Sequence, residues 1–176
     1  MKRKVLLIAV ALMAVAMLAT PVMAGPTKGL KVDATSIFNP LALEVRSEPE
    51  GKMTEGGIFP FKGFVEVYSN NLLSIGNGPP LTVCAYQAGS GCWNTKTEVF
   101  MVHYDTVWYI STEGSPNGFS GNQELKLFGW NPTTMLWDSM TVHCVLHGFG
   151  AYAGQTLMLS YEGPISVFMY GYCLKG

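Results

Sequence analysis

From Phe59 onward, the chain consists of short stretches of alternating apolar and polar residues, separated by clusters of turn-forming residues. A period of two is typical of half-buried β-strands, and Gly, Pro, Asn and Ser between them mark turns. No segment here sustains the 3.6-residue period that an amphipathic helix needs. The predicted strands are residues 63–69, 81–87, 97–104, 106–112, 124–130, 135–146, 155–161 and 165–174, with 41–47 as an upstream candidate.

This succession of strands predicts an all-β fold in a single domain. About eight strands at such spacing favour an antiparallel, up-and-down β-barrel, with a two-sheet β-sandwich as the second choice. We expect the all-β domain to span residues 58–176, after a weakly patterned N-terminal segment at 25–57. About 150 residues form one domain with a core of normal size.

The first 24 residues have the pattern of a secretory signal peptide. Basic residues at 2–4 precede an apolar run from Val5 to Ala19, and Val22–Ala24 ends in a peptidase-type site. The apolar run has fifteen residues, whereas a membrane-spanning helix needs about 20. The sequence therefore predicts a secreted, extracellular protein that begins at Gly25 and has no stable membrane insertion after cleavage.

Charge and glycine spacing exclude two classes of partner. Three of the eleven basic residues lie in the signal peptide, so the mature chain carries eight basic against twelve acidic residues, a net charge of −4. Such a chain lacks the basic surface that nucleic-acid binding requires. Gly148, Gly150 and Gly154 precede a predicted strand rather than a helix, so they do not form a dinucleotide-binding loop. We expect no cofactor.

The presence of four cysteines is consistent with export. Cys84, Cys92, Cys144 and Cys173 form an even set in a chain predicted to reach an oxidising compartment, which indicates two disulfides. The sequence "AYQAGSG" contains a candidate turn that would join Cys84 to Cys92. Cys144 and Cys173 lie on the apolar faces of nearby predicted strands, so we expect these two to form the second bond. A four-cysteine zinc site is disfavoured because no C-x-x-C pair occurs.

His143 and His147 have a spacing that would bind a metal on a helix. On the predicted strand 135–146 and its continuation, both point away from the apolar face, and four residues of strand span about 13 Å. Two ligands of one zinc ion must lie within about 4 Å of each other. We therefore predict no metal site.

His103 and Asp105 are the weak catalytic candidates. In an extended segment their side chains point the same way, about 6–7 Å apart, which allows a water-bridged acid–base pair. The alternative is a structural role at a strand end, where such side chains bond to turn backbone groups.

Trp93 and Trp130 are the candidates for ligand binding. Both lie at the margins of predicted loops, where an exposed ring can stack on a sugar or line an apolar cavity. The alternative is that they pack in the core, as most aromatic residues do.

The C-terminal residues carry one resemblance to known proteins. The stretch "VLHGFGAYAGQTLMLSYEG", followed by "MYGYCLKG", resembles the last strands of small secreted prokaryotic, especially archaeal, β-proteins of unknown function. Its Gly-x-Gly-x-aromatic-x-Gly run is also similar to allene oxide cyclase and dirigent-type eight-stranded barrels. This resemblance covers about thirty residues and implies a barrel, but it implies no activity and transfers no site residue.

These observations favour a secreted, disulfide-stabilised β-barrel that binds a small apolar or sugar-like molecule rather than an enzyme. One alternative is a structural or self-associating surface protein, with exposed apolar strand edges and no pocket. The other is an isomerase- or cyclase-type barrel enzyme, which would need a polar group such as His103 or Asp105 inside its cavity.

Overall fold

A computed structural model describes residues 30–35, 43–47, 50–166 and 168–175. The predicted signal peptide, residues 1–24, lies outside these ranges. In the described part of the chain, no helix is long and apolar enough to span a membrane.

The described residues form ten β-strands and one short 3-10 turn. The strands are β1 (Leu30–Thr35), β2 (Leu43–Ser47), β3 (Glu50–Gly51), β4 (Ile58–Ile75), β5 (Leu81–Asn94), β6 (Val99–Ile110), β7 (Gly118–Asn131), β8 (Leu136–Phe149), β9 (Gln155–Pro164) and β10 (Phe168–Lys175), and the 3-10 turn is Gly150–Tyr152. The prediction of an all-β fold is confirmed.

From β4 to β10, each strand pairs antiparallel with the next one in the chain. The N-terminal strands join the same sheet: β2 and β3 pair with the first half of β4, and β1 pairs with β10. Strand β1 also pairs with the second half of β4, where Val32 lies opposite Ile75 and Ala34 opposite Leu73. The N-terminal segment therefore contributes strands to the sheet despite its weak sequence pattern.

Alternate residues of the long strands are buried on one side of the sheet, called here the core face. On β6, for example, Val102, Tyr104, Thr106 and Trp108 are buried, whereas His103 and Asp105 between them are exposed. This alternation follows from the pleat of a β-strand, in which successive side chains point to opposite faces. The largest fully buried side chains include Trp108, Tyr68 and Phe119.

Two predicted interruptions between strands are wrong. Residues 97–104 and 106–112 were expected as separate strands, but Asp105 lies inside β6. The "AGSG" segment was expected as a turn, but it lies inside β5. Position 89 of β5 requires glycine because the ring of Phe64 covers it and would collide with a Cβ atom. Glycine in a strand interior often permits such a close approach rather than a turn.

The predicted disulfides are also wrong, because Cys84, Cys92, Cys144 and Cys173 are all free thiols. Cys84 and Cys92 lie eight residues apart on β5, a separation of about 26 Å, whereas bonded cysteines have Cα atoms about 4.4–6.8 Å apart. Cys144 on β8 and Cys173 on β10 are both buried, but β9 lies between their strands. Two strand spacings amount to about 10 Å, which is too far for a bond.

Candidate functional site

Five buried residues with polar side chains lie on the core face of neighbouring strands. We call Glu66, Tyr68, Gln87, Tyr104 and Gln123 the polar cluster; they come from β4, β5, β6 and β7. None of the five is more than 8% exposed. Buried polar groups cost free energy unless they are hydrogen-bonded, so a concentration of them in a core requires an explanation.

Strand register brings these residues together. Glu66 of β4 lies directly opposite Gln87 of β5, and Tyr104 of β6 lies directly opposite Gln123 of β7. Opposed residues on adjacent antiparallel strands have Cβ atoms about 4.5–5.5 Å apart. Since both pairs face the core, four strands contribute to a single polar region.

The two glutamines share one hydrogen bond. Gln87 Nε2 donates to Gln123 Oε1 at 3.2 Å. The other amide atoms, Gln87 Oε1 and Gln123 Nε2, are buried and have no hydrogen-bond partner among the described residues. An unpaired polar atom in a core costs about 1–3 kcal/mol. One acceptor and one donor of this pair are thus unpaired among the described residues.

Glu66 is a buried carboxyl group with one hydrogen-bond donor among the residues that the structure describes. The Tyr68 hydroxyl donates a hydrogen bond to Glu66 Oε2 at 2.9 Å. Burial raises the pKa of Glu66 to about 6, and the Tyr68 hydrogen bond partly offsets that effect. None of the ion pairs between described residues includes Glu66. Above pH 6, its negative charge therefore has no cationic partner in the described part of the chain.

The tyrosine hydroxyls stay protonated. Burial raises the pKa values of Tyr68 and Tyr104 well above the ordinary value, and the nearby Glu66 charge raises both further. Both hydroxyls therefore keep their protons at any physiological pH, and that of Tyr68 is already engaged with Glu66.

Aromatic rings border the carboxyl group. Phe64 and Tyr68 precede and follow Glu66 by two residues on β4, so all three point to the same face. The Phe64 and Tyr104 rings pack edge to face with centroids 5.5 Å apart. The Phe64 and Tyr68 rings therefore lie on the same face of β4 as the carboxyl group.

A second aromatic group, the tryptophan cluster, consists of Trp93, Trp130 and Trp137. Their ring centroids are 5.0 to 6.3 Å apart, and Trp137 also contacts Phe100. Trp93 and Trp130 were predicted as separate loop-margin contacts, and the structure brings them together. The indole N–H groups of Trp93 and Trp137 are buried and have no hydrogen-bond acceptor within the described ranges.

Gly129 lies just before Trp130 in β7. It has φ of +69°, a conformation that favours glycine, and a Cβ atom there would lie 2.5 Å from Asp138 Oδ2. Glycine at this position permits the local twist of β7 beside the tryptophan cluster.

His103 and Asp105 are exposed on the side of β6 opposite the core face. His103 Nδ1 lies 3.5 Å from Glu124 Oε2, and Asn122 donates a 2.9 Å hydrogen bond to Asp105. The two candidates therefore have separate surface partners. They do not place an acid–base pair on the core face.

His143 and His147 are exposed on β8, four residues apart on an extended strand. His147 Nδ1 lies 3.1 Å from Thr156 Oγ1. Among the described residues, no group of three or more His, Cys, Asp or Glu side chains could hold a metal ion.

The sequence reasoning missed Glu66, Gln87 and Gln123. The sequence did contain a signal that the glutamines are buried. Each lies an even number of residues from an apolar residue of the same strand, Gln87 from Val83 and Gln123 from Leu125, and therefore faces the same side. For Glu66 the signal was ambiguous, since both faces of residues 63–69 carry apolar side chains.

Comparisons of the chain with protein-family models, with curated proteins and with solved structures gave no match.

Proposed function

We propose that the protein is an exported binding module whose sheet closes into a barrel and holds a small hydrogen-bonding ligand at the polar cluster. The single observation that carries this proposal is the Gln87–Gln123 pair, which retains in the core one acceptor and one donor with no partner in the described part of the chain. A purely structural core would gain stability from apolar residues at these two positions. A ligand that bonds to both amides explains why polar residues occupy them.

Closure into a barrel is supported by the pairing of β1. This strand bonds to β10 on one side and to the second half of β4 on the other, so the first and last strands of the β4–β10 series share one neighbour. A closed sheet has no free edge along these strands, and barrels of about eight strands are wide enough for side chains or one small ligand.

The unpaired amides also favour one of the two ligand classes expected from the sequence. A purely apolar ligand would leave Gln87 Oε1 and Gln123 Nε2 unsatisfied, whereas a ligand with hydroxyl, amine or carbonyl groups would pair them. The aromatic rings of Phe64 and Tyr104 would contact its carbon skeleton.

Native mass spectrometry of protein purified from its own host tests this function. We expect a retained mass that is lost on denaturation. A Gln87→Met, Gln123→Met double variant should lose that mass, while the core control Leu159→Met should keep it. Wild-type protein with no retained mass, together with no thermal stabilisation by any compound in a library of small polar metabolites, would contradict the proposal.

Export has its own test. The protein recovered outside the cell should begin at Gly25, as determined by N-terminal sequencing, because the signal peptide would be removed after Ala24. Recovery of the chain with Met1 retained in the membrane fraction would contradict export through a cleavable signal.

A further inference from the structure

The charge and surroundings of Glu66 specify the ligand more narrowly. Glu66 is 8% exposed, accepts one hydrogen bond from Tyr68 and belongs to no ion pair between described residues. A buried charge without a partner is strongly unfavourable, so buried carboxylates normally face a cation or several donors. Among the described residues, this carboxylate has one donor and no cation.

We propose that the ligand is a small organic ammonium ion, bound by the Glu66 carboxylate, the free amide oxygen of the Gln87–Gln123 pair and the surrounding aromatic rings. This inference rests on the proposed binding function and adds the chemical class of the ligand.

Hydrogen-bonding capacity matches such an ion. An ammonium group has three N–H donors and no acceptor. The Glu66 carboxylate and Gln87 Oε1 are acceptors on directly opposed residues, so they can bond to one nitrogen from adjacent strands. Gln123 Nε2 remains as a donor for an oxygen elsewhere on the ligand.

The aromatic rings match the charge as well. Phe64 and Tyr68 flank Glu66 along β4, and Tyr104 of β6 is close enough for the Glu66 charge to raise its pKa. The faces of such rings attract cations, and desolvation strengthens the attraction. A carboxylate with aromatic rings on the same face of the sheet favours a cation over an anion or a neutral molecule of the same shape.

Binding should depend on pH through Glu66, whose pKa is about 6. The other titratable groups that face it are the Tyr68 and Tyr104 hydroxyls, both protonated across the range concerned. Gln87 on β5 is uncharged. On β2, Val45 is the partner of Glu66, so Glu44 and Arg46 lie on the other face of that strand, where they pair with each other. Glu66 is therefore the group that controls this pH dependence.

Isothermal titration of the mature protein at pH 7.5 tests the inference. The probes are methylammonium, butylammonium and 2-phenylethylammonium chlorides, each compared with methanol, 1-butanol or 2-phenylethanol of the same skeleton. At least one ammonium ion should bind tenfold or more tightly than its alcohol. Its affinity should fall about tenfold at pH 5.0, where about a tenth of Glu66 is ionised.

Three variants complete the test. Glu66→Gln should abolish the preference for ammonium over alcohol, whereas Glu162→Gln, which removes an exposed carboxylate, should preserve it. Tyr68→Phe should move the pH midpoint of binding upward, because the Tyr68 hydrogen bond lowers the pKa of Glu66. This shift gives a readout even if Glu66→Gln folds poorly.

The outcomes separate the two proposals. Alcohols that bind as tightly as the ammonium ions, or a neutral ligand retained in native mass spectrometry, would overturn the ammonium inference and leave the binding function standing. Absence of both a retained ligand and any binding of either series would overturn both. An ammonium preference that persists in Glu66→Gln would overturn the assigned site.

Discussion

Gln87 and Gln123 share one 3.2 Å hydrogen bond between their side-chain amides, although a strand separates them in the sheet. This arrangement is costly for a core, because each amide retains a buried atom that no described residue pairs. It differs from the outer surface of β6 and β7, where Asp105 and Asn122 form a pair that remains exposed.

Replacing the two glutamines together should therefore be less harmful than replacing one. Gln123→Met alone removes the acceptor of the Gln87 amide and should lower the free energy of unfolding by about 1–3 kcal/mol. The Gln87→Met, Gln123→Met double variant buries two apolar side chains of similar shape and should match or exceed the wild type. Urea unfolding of the four proteins in the cycle measures this coupling. A double variant less stable than both single variants would show that each amide has a separate stabilising partner.

Stability should fall as pH rises through the titration of Glu66. Its pKa is about 6 in the folded protein, above the ordinary 4.5, so the folded state binds this proton more tightly than the unfolded state. The contribution of Glu66 to the free energy of unfolding is most favourable below about pH 4.5. It declines from there to about pH 6, and the total loss above pH 6 is about 2 kcal/mol.

Urea midpoints from pH 4 to 8, measured without added ligand, test this effect. The lowered pKa values of Glu113 and Glu124 act in the opposite direction in every variant, so the difference between wild type and Glu66→Gln isolates Glu66. That difference should change between pH 4.5 and 6. The corresponding difference between wild type and Glu162→Gln should stay constant over the same range. A difference that does not vary with pH would show that the Glu66 carboxyl group is solvated in the folded protein.

All four cysteines should react with a thiol reagent after the protein is unfolded without a reductant. In the folded protein, Cys144 should be protected longest, because it is buried and burial raises its thiol pKa well above the ordinary value. Cys92 is only half-buried and should be alkylated first. Mass spectrometry of tryptic peptides measures both rates. A peptide that links Cys84 to Cys92 would contradict the continuous strand β5.

Gly129→Ala should disturb the tryptophan cluster. The substitution places a Cβ atom 2.5 Å from Asp138 Oδ2 at a position with φ of +69°, so steric overlap adds to backbone strain. We expect a loss of about 2–3 kcal/mol and a red shift of tryptophan fluorescence.

Gly154→Ala is the matched control for this variant. Gly154 has φ of +81°, but nothing lies within 4 Å of the added Cβ atom, so only the backbone strain of about 1 kcal/mol applies. Equal losses in the two variants, with unchanged fluorescence in both, would contradict the role of Gly129 beside the tryptophans.

Local pattern was sufficient to predict the β-class and most strands of this protein. Alternation in segments such as 155–161 and 165–174 depends only on neighbouring residues, because the pleat of a strand repeats every two positions. The same rule placed His103 and Asp105 on one side of their segment. It failed at Gly89, where a glycine accommodates the Phe64 ring from another strand instead of forming a turn.

The register of the strands was decided by tertiary structure alone. The opposition of Glu66 to Gln87, the meeting of Trp93 with Trp130 and the wide separation of the four cysteines all depend on which strands are neighbours and how they are aligned. Those alignments arise from contacts between residues far apart in the chain, and a shift of one residue would reverse which side chains face the core. A single sequence specifies the alternation within each strand, whereas packing among all the strands determines where each side chain meets its partners.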